Sequence, residues 1–510
     1  MTAGLIAWKK NLRLAALSGV VLLASMVGLS APHLPSQLLQ FVAEHGNIAA
    51  ALVRGDGFAD PFGTPSGPTA WTPPVFACYL AGVFAVFGIK TVTSAWVLLV
   101  LDAAFAGVCV LCTTSALDLC DRAPLKSWFA FSLVGLTWIH EGALGPWFST
   151  AWFVIALDSA LLLGAAGVCR TGQRCWWWLL TLTSGTLVLT HAGSGAACIA
   201  LLFVLWFLAA GRAARERQIS RWVALRRESG RPLAALAVCA AALGAWTARN
   251  WVVFHQVIPL KSTGWFEIYL AETYTDDGVI DDGVIIAHHP FSNPRLLVDY
   301  TLQGESAFLA GYRAKARALL AANPQKFIHD VGGRALAAFS YCDTAPHVYQ
   351  CLADVSHGDA VKLVADGLAA RFAAPLPIFW TSLGLSPQAF EQRMGRLGLA
   401  APQPVTRDWL NAKSAMLDGE SQPRRVLSGI ALAGLPAACL LGTLALRRRN
   451  SDRYFLFCAL FYVVALLPNV LITHYVSHQL HFLGLHAFFI VSFAGALGRT
   501  WRLRKGAGAP

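Results

Sequence analysis

Long apolar runs, recurring from one end of the chain to the other, constrain this sequence more than any other feature. They lie at about 14–30, 92–115, 128–143, 151–169, 175–190, 196–210, 232–246, 426–446, 454–472 and 480–497. A helix rises about 1.5 Å per residue and satisfies its own backbone polar groups, so roughly 20 apolar residues cross a hydrocarbon layer about 30 Å thick. Runs of that kind exclude a soluble globular chain. Composition agrees, with 56% of the 510 residues hydrophobic and 13% charged, against about a quarter charged in soluble domains. The expected fold class is mainly α, a polytopic helical membrane protein with about ten transmembrane helices.

Charge sets the threading. The net charge is +12, but the basic residues fall in short clusters between alternate apolar runs rather than along one face interleaved with aromatics. That pattern speaks against nucleic acid and for the cytoplasmic lipid surface as their partner. Lys9, Lys10 and Arg13 precede the first run. Later clusters are Arg122 with Lys126, Arg170 with Arg174, seven arginines from Arg212 to Arg231, Arg447 to Arg449 with Arg453, and Arg499, Arg502, Arg504 and Lys505. Setting all of them inside predicts ten spans with both termini cytoplasmic. Ser30, Ala31 and Pro32 make a poor cleavage site, so the first run is expected to stay as an anchor. The run at 75–88 is short and follows two prolines, which suits an interfacial or re-entrant helix on the outer face.

This threading divides the chain into an anchor at 1–30, a first periplasmic loop with interfacial helices at 31–91, and a six-helix core at 92–248. A larger α-rich periplasmic domain follows at 249–425, then a three-helix segment at 426–510. Asn323 and Pro324 read as a cap and first turn, with Phe327, Ile328, Val331 and Leu336 at helical spacing. Residues 306–320 have helical spacing too. Ten of the twelve cysteines lie in or beside apolar runs and behave as small hydrophobes. Cys342 and Cys351 fall in the outer domain, where an oxidising compartment permits a disulfide.

An enzyme working on a lipid-borne substrate must gather charged groups at the outer interface. The first outer loop supplies Glu44, Asp56 and Asp60, any of which can accept a proton from an attacking hydroxyl, an effect of about 10²- to 10⁴-fold. The plain alternative is a solvated acidic loop. Glu141, beside His140 in the next outer loop, is a further acid. Asp102 and Asp158 lie within spans at similar depth, where an ionised carboxylate costs roughly 2.5 to 3.5 kcal/mol, so each needs a partner or a function. His474, His478 and His481 recur at i, i+4 and i+7 and can hold a divalent metal or form a titratable interface. The doublet Asp276, Asp277, Asp281 and Asp282 lacks the spacing of a calcium loop.

Two blocks carry a resemblance. The first runs through Glu44, Ile48, Ala49, Leu52, Gly55, Gly57, Phe58, Pro61, Phe62, Pro68 to Trp71, Pro73, Pro74, Phe87 and Gly88. The second holds Arg249, Asn250, Phe254, Ile258 to Ser262 and Glu267, continued by His289, Pro290, Asn293, Tyr300, Gly304, Glu305, Asn323, Pro324, Phe327 and Arg334. Together they resemble the GT-C membrane glycosyltransferases, above all the bacterial relatives of protein O-mannosyltransferases and aminoarabinose transferases, a family-39-like group. The resemblance implies a bacterial inner-membrane enzyme with a periplasmic active site, a polyprenyl-phosphate sugar donor, and transfer with inversion to an envelope acceptor. Glu44 matches the family's catalytic acid, usually aspartate. Glu267 and Glu305 join Asp56, Asp60 and Glu141 as acidic site candidates. Thr72 stands where aminoarabinose transferases carry lysine, so Arg54, Arg249 and Lys261 become the candidates for the donor phosphate. A His-Phe-Leu stretch at His481 replaces an Arg-Tyr-Arg-like element. No cofactor is required, with a divalent metal left open. The rivals are a transporter or lipid translocase that uses Asp102 and Asp158, and a non-catalytic envelope assembly protein.

Overall fold

A computed structural model describes residues 2–30, 43–144, 150–275, 278–280, 284, 288–291, 293–340, 434–446, 453–472 and 481–506. Among them the regular structure is helical, and the one β-bridge pairs Ala59 with Pro68. Seven helices are long and apolar enough to cross a membrane. They belong to α1 (Thr2–Ser30), α4 (Val92–Leu119), α6 (Ala151–Thr171), α8 (Ala192–Arg217), α10 (Gly230–Phe254), α15 (Arg453–Leu471) and α16 (Leu483–Gly506). The other three apolar runs are helical where described, as α5 (Lys126–Leu144), α7 (Arg174–Leu187) and α14 (Leu435–Ala445). The run at 75–88 forms the 14-residue α3 (Pro74–Phe87), started by Pro74 in the first turn and stopped at Gly88, whose φ of 92° ends the helix.

Close approach of backbones sets the packing. α1 and α4 run antiparallel, because Asn11 reaches Ser115 and Asp118 near one end. Farther along, a Cβ on Gly107 or Gly19 would lie 3.3 Å from the carbonyl of Ala15 and 3.1 Å from that of Ala103. Small residues at such crossings are how helices pack where lipid leaves no hydrophobic drive between them. Gly193 at the head of α8 is tighter, since its Cβ would stand 2.2 Å from the Ala465 carbonyl oxygen on α15.

The two ends of the bundle differ. At one end charged groups pair between neighbouring turns. Lys126 bonds Asp118, Arg170 lies 3.4 Å from Asp121, Arg217 lies 3.3 Å from Glu228 of the turn after α9 (Arg221–Arg227), and Arg212 donates to the Cys169 carbonyl at 2.7 Å. At the other end sit α2 (Ala43–Arg54), the loop that follows it, α11 (Gly264–Tyr274), α12 (Pro294–Ala322) and α13 (Pro324–Ser340). Asn293 caps α12 by accepting from Arg295 and Leu296, and Asn323 caps α13 by accepting from Lys326. Arg334 on α13 is fully buried and ties this layer to the bundle. Its guanidinium donates to the Val470 carbonyl at 2.8 Å and meets Glu272 of α11 at 3.3 Å.

Candidate functional site

The loop at 55–73 is held in one shape by its own acids. Asp60 adopts a left-handed φ of 57°, which turns its carboxylate back on the chain. Its Oδ1 accepts from the backbone N–H of Ser66 at 2.8 Å and of Gly67 at 3.0 Å. Arg54 is engaged beside it, 2.8 Å from Asp56 and 3.6 Å from Asp60. Arg249, arriving from the end of α10, donates to the carbonyls of Thr69 at 2.8 Å and Phe58 at 3.0 Å and lies over the ring of Trp246. Glu305 completes the clamp. Gly304, at φ 74°, breaks α12 one residue earlier. The buried carboxylate then accepts from Thr69 Oγ1 at 2.5 Å, Ala70 N–H at 2.8 Å and Tyr300 O–H at 2.8 Å. Burial pushes the Glu305 pKa up, partly offset by those three donors. Arg54, Asp56, Asp60, Arg249 and Glu305 are thus engaged in framing the loop.

The frame presents Trp71 and Phe62 to an aromatic box. Phe62 meets Trp71 and Tyr300 edge to face, each with ring centroids 4.9 Å apart, and the His289 ring stands against Phe62, Trp71 and Phe266. His289 Nδ1 accepts the Phe291 N–H at 3.1 Å, so the neutral ring carries its proton on Nε2. That nitrogen lies 3.8 Å from Oε1 of Glu44, whose side chain is 22% exposed on the first turn of α2. A carboxylate held beside an imidazole N–H, half-shielded by aromatics and open to water on one side, is equipped to take a proton from a hydroxyl.

A second group lies one residue on. His45 packs edge-on against Phe76 of α3, its Nε2 buried with no protein partner. Val75 donates its N–H to the Leu189 carbonyl, which brings the turn before α8 to the same place. There His191 caps α8 through Nδ1, accepting from Ser194 N–H at 3.2 Å, and stacks on His481 with centroids 4.6 Å apart. His481 Nε2 in turn meets Thr150 Oγ1 at 2.7 Å. Lys261 joins from the loop after α10, with its ammonium 2.7 Å from Glu267 Oε1, which also accepts from Thr263. The other oxygen of Glu267 is buried without a partner. Burial first, then His481 and Lys261, hold the pKa of His45 down to about 4 and that of His191 well below the usual histidine range.

Deeper in the bundle, Asp158 accepts from Ser194 Oγ at 3.1 Å, while its Oδ1 is buried without a partner. It lines a narrow pocket with Ser159, Tyr454, Cys458 and His481. Asp102 is buried on α4 near Tyr79. Glu141 lies on the last turns of α5, and its side chain is outside the described residues, as are His474, His478, Cys342, Cys351 and the four aspartates of the doublet. His481 precedes the last helix, which begins at Leu483 rather than at 480, so the three histidines do not share a regular helical face through that point. Among the described residues no group of three or more His, Cys, Asp or Glu side chains is arranged to hold a metal.

No family model, curated protein or solved structure matches the chain. The class defined by fold and site is therefore stated at its own level: a helical protein with seven helices able to span a membrane and a polar site where several of them begin. Sequence reasoning nominated Glu44, Lys261, Glu267 and His481 but passed over His45, His191 and Ser194, and it cited His289 only within a motif. A signal existed for two of these, since His45 directly follows Glu44 and His191 directly precedes an apolar run.

Proposed function

We propose that the protein is a GT-C-like glycosyltransferase of a bacterial inner membrane, with about ten spans, both termini cytoplasmic, and its site on the periplasmic face. The observation that carries this is the pairing of Glu44 with His289 beneath Trp71, at the end of the bundle opposite the paired basic turns. An acceptor hydroxyl loses its proton to Glu44 as its oxygen bonds to the anomeric carbon of the donor. The bond from that carbon to the phosphate oxygen breaks, and the polyprenyl phosphate leaves with the electron pair. Attack opposite the leaving group inverts the centre. Positive or N–H-bearing groups near the departing phosphate stabilise it, and the acceptor is an envelope lipid, glycan or protein. No step requires a metal, although a divalent ion near the site remains compatible with this chemistry.

A transporter or lipid translocase is the second reading, favoured by the unpartnered Asp158 oxygen within a span. One assay separates the two. Purified protein given polyprenyl-phosphate sugars should release lipid phosphate, and Glu44→Gln should abolish the release while Asp102→Asn and Asp158→Asn retain it. Release absent from every preparation, together with proton-coupled uptake lost in the aspartate variants, overturns the transferase.

A further inference from the structure

We infer that His45, His191, His481 and Lys261 form a binding site for a lipid-borne phosphate group. The identity of the carrier rests on the transferase reading; the anion chemistry does not. Sequence alone nominated Arg54, Arg249 and Lys261 for this task, but Arg54 is held by Asp56 and Asp60, and Arg249 by two loop carbonyls. Lys261 is left, and what surrounds it is histidine.

Geometry brings the four together from four separate segments. His45 leans on Phe76, whose neighbour Val75 bonds Leu189, two residues before His191, and His191 stacks on His481. The Ser262 N–H bonds the Ala70 carbonyl, which pins the adjacent Lys261 beside the same strip of the first loop. Lys261 and His481 both act electrostatically on His45 and on His191. Four cation-capable side chains in one place repel one another unless an anion lies among them. The nearby carboxylates do not fill that role. Glu267 is engaged by Lys261 and Thr263, and Asp158 is reached only through Ser194. His45 Nε2, buried and unpartnered, is a ring nitrogen still lacking a hydrogen-bond partner. His191 caps α8 through Nδ1, so its neutral ring carries the proton on Nε2.

Depth selects the carrier. His191 directly precedes α8 and His481 lies two residues before α16, so both sit where two candidate spans begin. That is the level of lipid headgroups rather than open water. Glu44 is the residue before His45, and one helical step separates them by about 100°, which sets the proton acceptor and the anion site on adjacent faces of α2. The bond that breaks in transfer would lie between them.

The test uses the full chain in lipid nanodiscs, titrated with farnesyl phosphate, farnesol and inorganic phosphate, and read by thermal melting and tryptophan fluorescence. Farnesyl phosphate should raise the melting temperature and bind saturably, with farnesol and inorganic phosphate at least tenfold weaker. His481→Phe keeps the stack on His191 and His45→Gln keeps a polar side chain. Each should weaken farnesyl phosphate at least tenfold while melting, ligand-free, within a few degrees of the parent. Glu44→Gln should bind like the parent and fail to transfer. Equal binding of farnesol, inorganic phosphate matching the lipid, or unchanged affinity in both histidine variants overturns the site. Farnesyl phosphate binding that depends on the histidines, in a protein that transfers no sugar, leaves the site standing and removes the transferase.

Discussion

His289 Nε2 lies 3.8 Å from Glu44 Oε1 while Nδ1 of the same ring accepts the Phe291 backbone N–H. The backbone bond fixes the tautomer, and the tautomer aims an N–H at the carboxylate. An acid so positioned is kept ionised and oriented without being consumed by a full ion pair, which suits a proton acceptor.

Replacing Glu44 with Gln keeps the shape and removes the proton acceptor, so lipid-phosphate release should fall by about 10²- to 10⁴-fold. His289→Phe keeps the aromatic box and removes the N–H, and should cost less, on the order of tenfold. Rates in single and double variants check this. If the two losses simply multiply, the residues act independently and the coupling between them is refuted.

The pH dependence of stability has two opposing parts. Burial holds His45 near a pKa of about 4 in the folded chain, against about 6.5 unfolded. The unfolded state therefore binds more protons between those values, and stability rises with pH across that window. Glu305 is shifted upward, so there the folded state holds the extra proton, and stability falls as pH rises from about the unfolded carboxyl pKa toward the raised one. Melting curves from pH 4 to 7 should be flatter for His45→Gln, and steeper for Glu305→Gln because its opposing slope is gone. No change in either slope contradicts the assignment.

Arg334 is fully buried against Glu272 and the Val470 carbonyl. Arg334→Met strands a buried carboxylate, and breaking such a pair costs about 3–5 kcal/mol. Adding Glu272→Gln should recover part of that loss. Denaturation midpoints of the single and double variants decide it, and a double variant no better than the single rules out the pairing as the cause.

Sidedness is directly measurable. In a background with the exposed Cys78 and Cys175 changed to serine, Asp56→Cys should react with an impermeant maleimide from the periplasmic side of intact cells. Gln218→Cys should react only after the membrane is opened. The reverse pattern moves Glu44 to the cytoplasm and ends the proposed function.

The spans and their caps were legible in the sequence because helix formation in an apolar run depends on neighbours a turn away. Runs at 92–115, 151–169 and 196–210 became α4, α6 and α8, and Asn293 and Asn323 cap as their local sequence implies. The site was legible only in its acids. Arg54 and Arg249 looked like free cations, and nothing local shows that a loop turned back by Asp60 offers its carbonyls to Arg249.

By itself the sequence determined that this chain is a bundle of apolar helices, and which residues begin and end many of them, since periodicity, length and capping act over a few residues. Tertiary structure alone decided that His45, His191 and His481, 146 and 290 positions apart in succession, share one place, and that Glu44 faces His289. Those contacts depend on how α2, α8 and α16 pack, and packing is settled by surfaces distant in the chain.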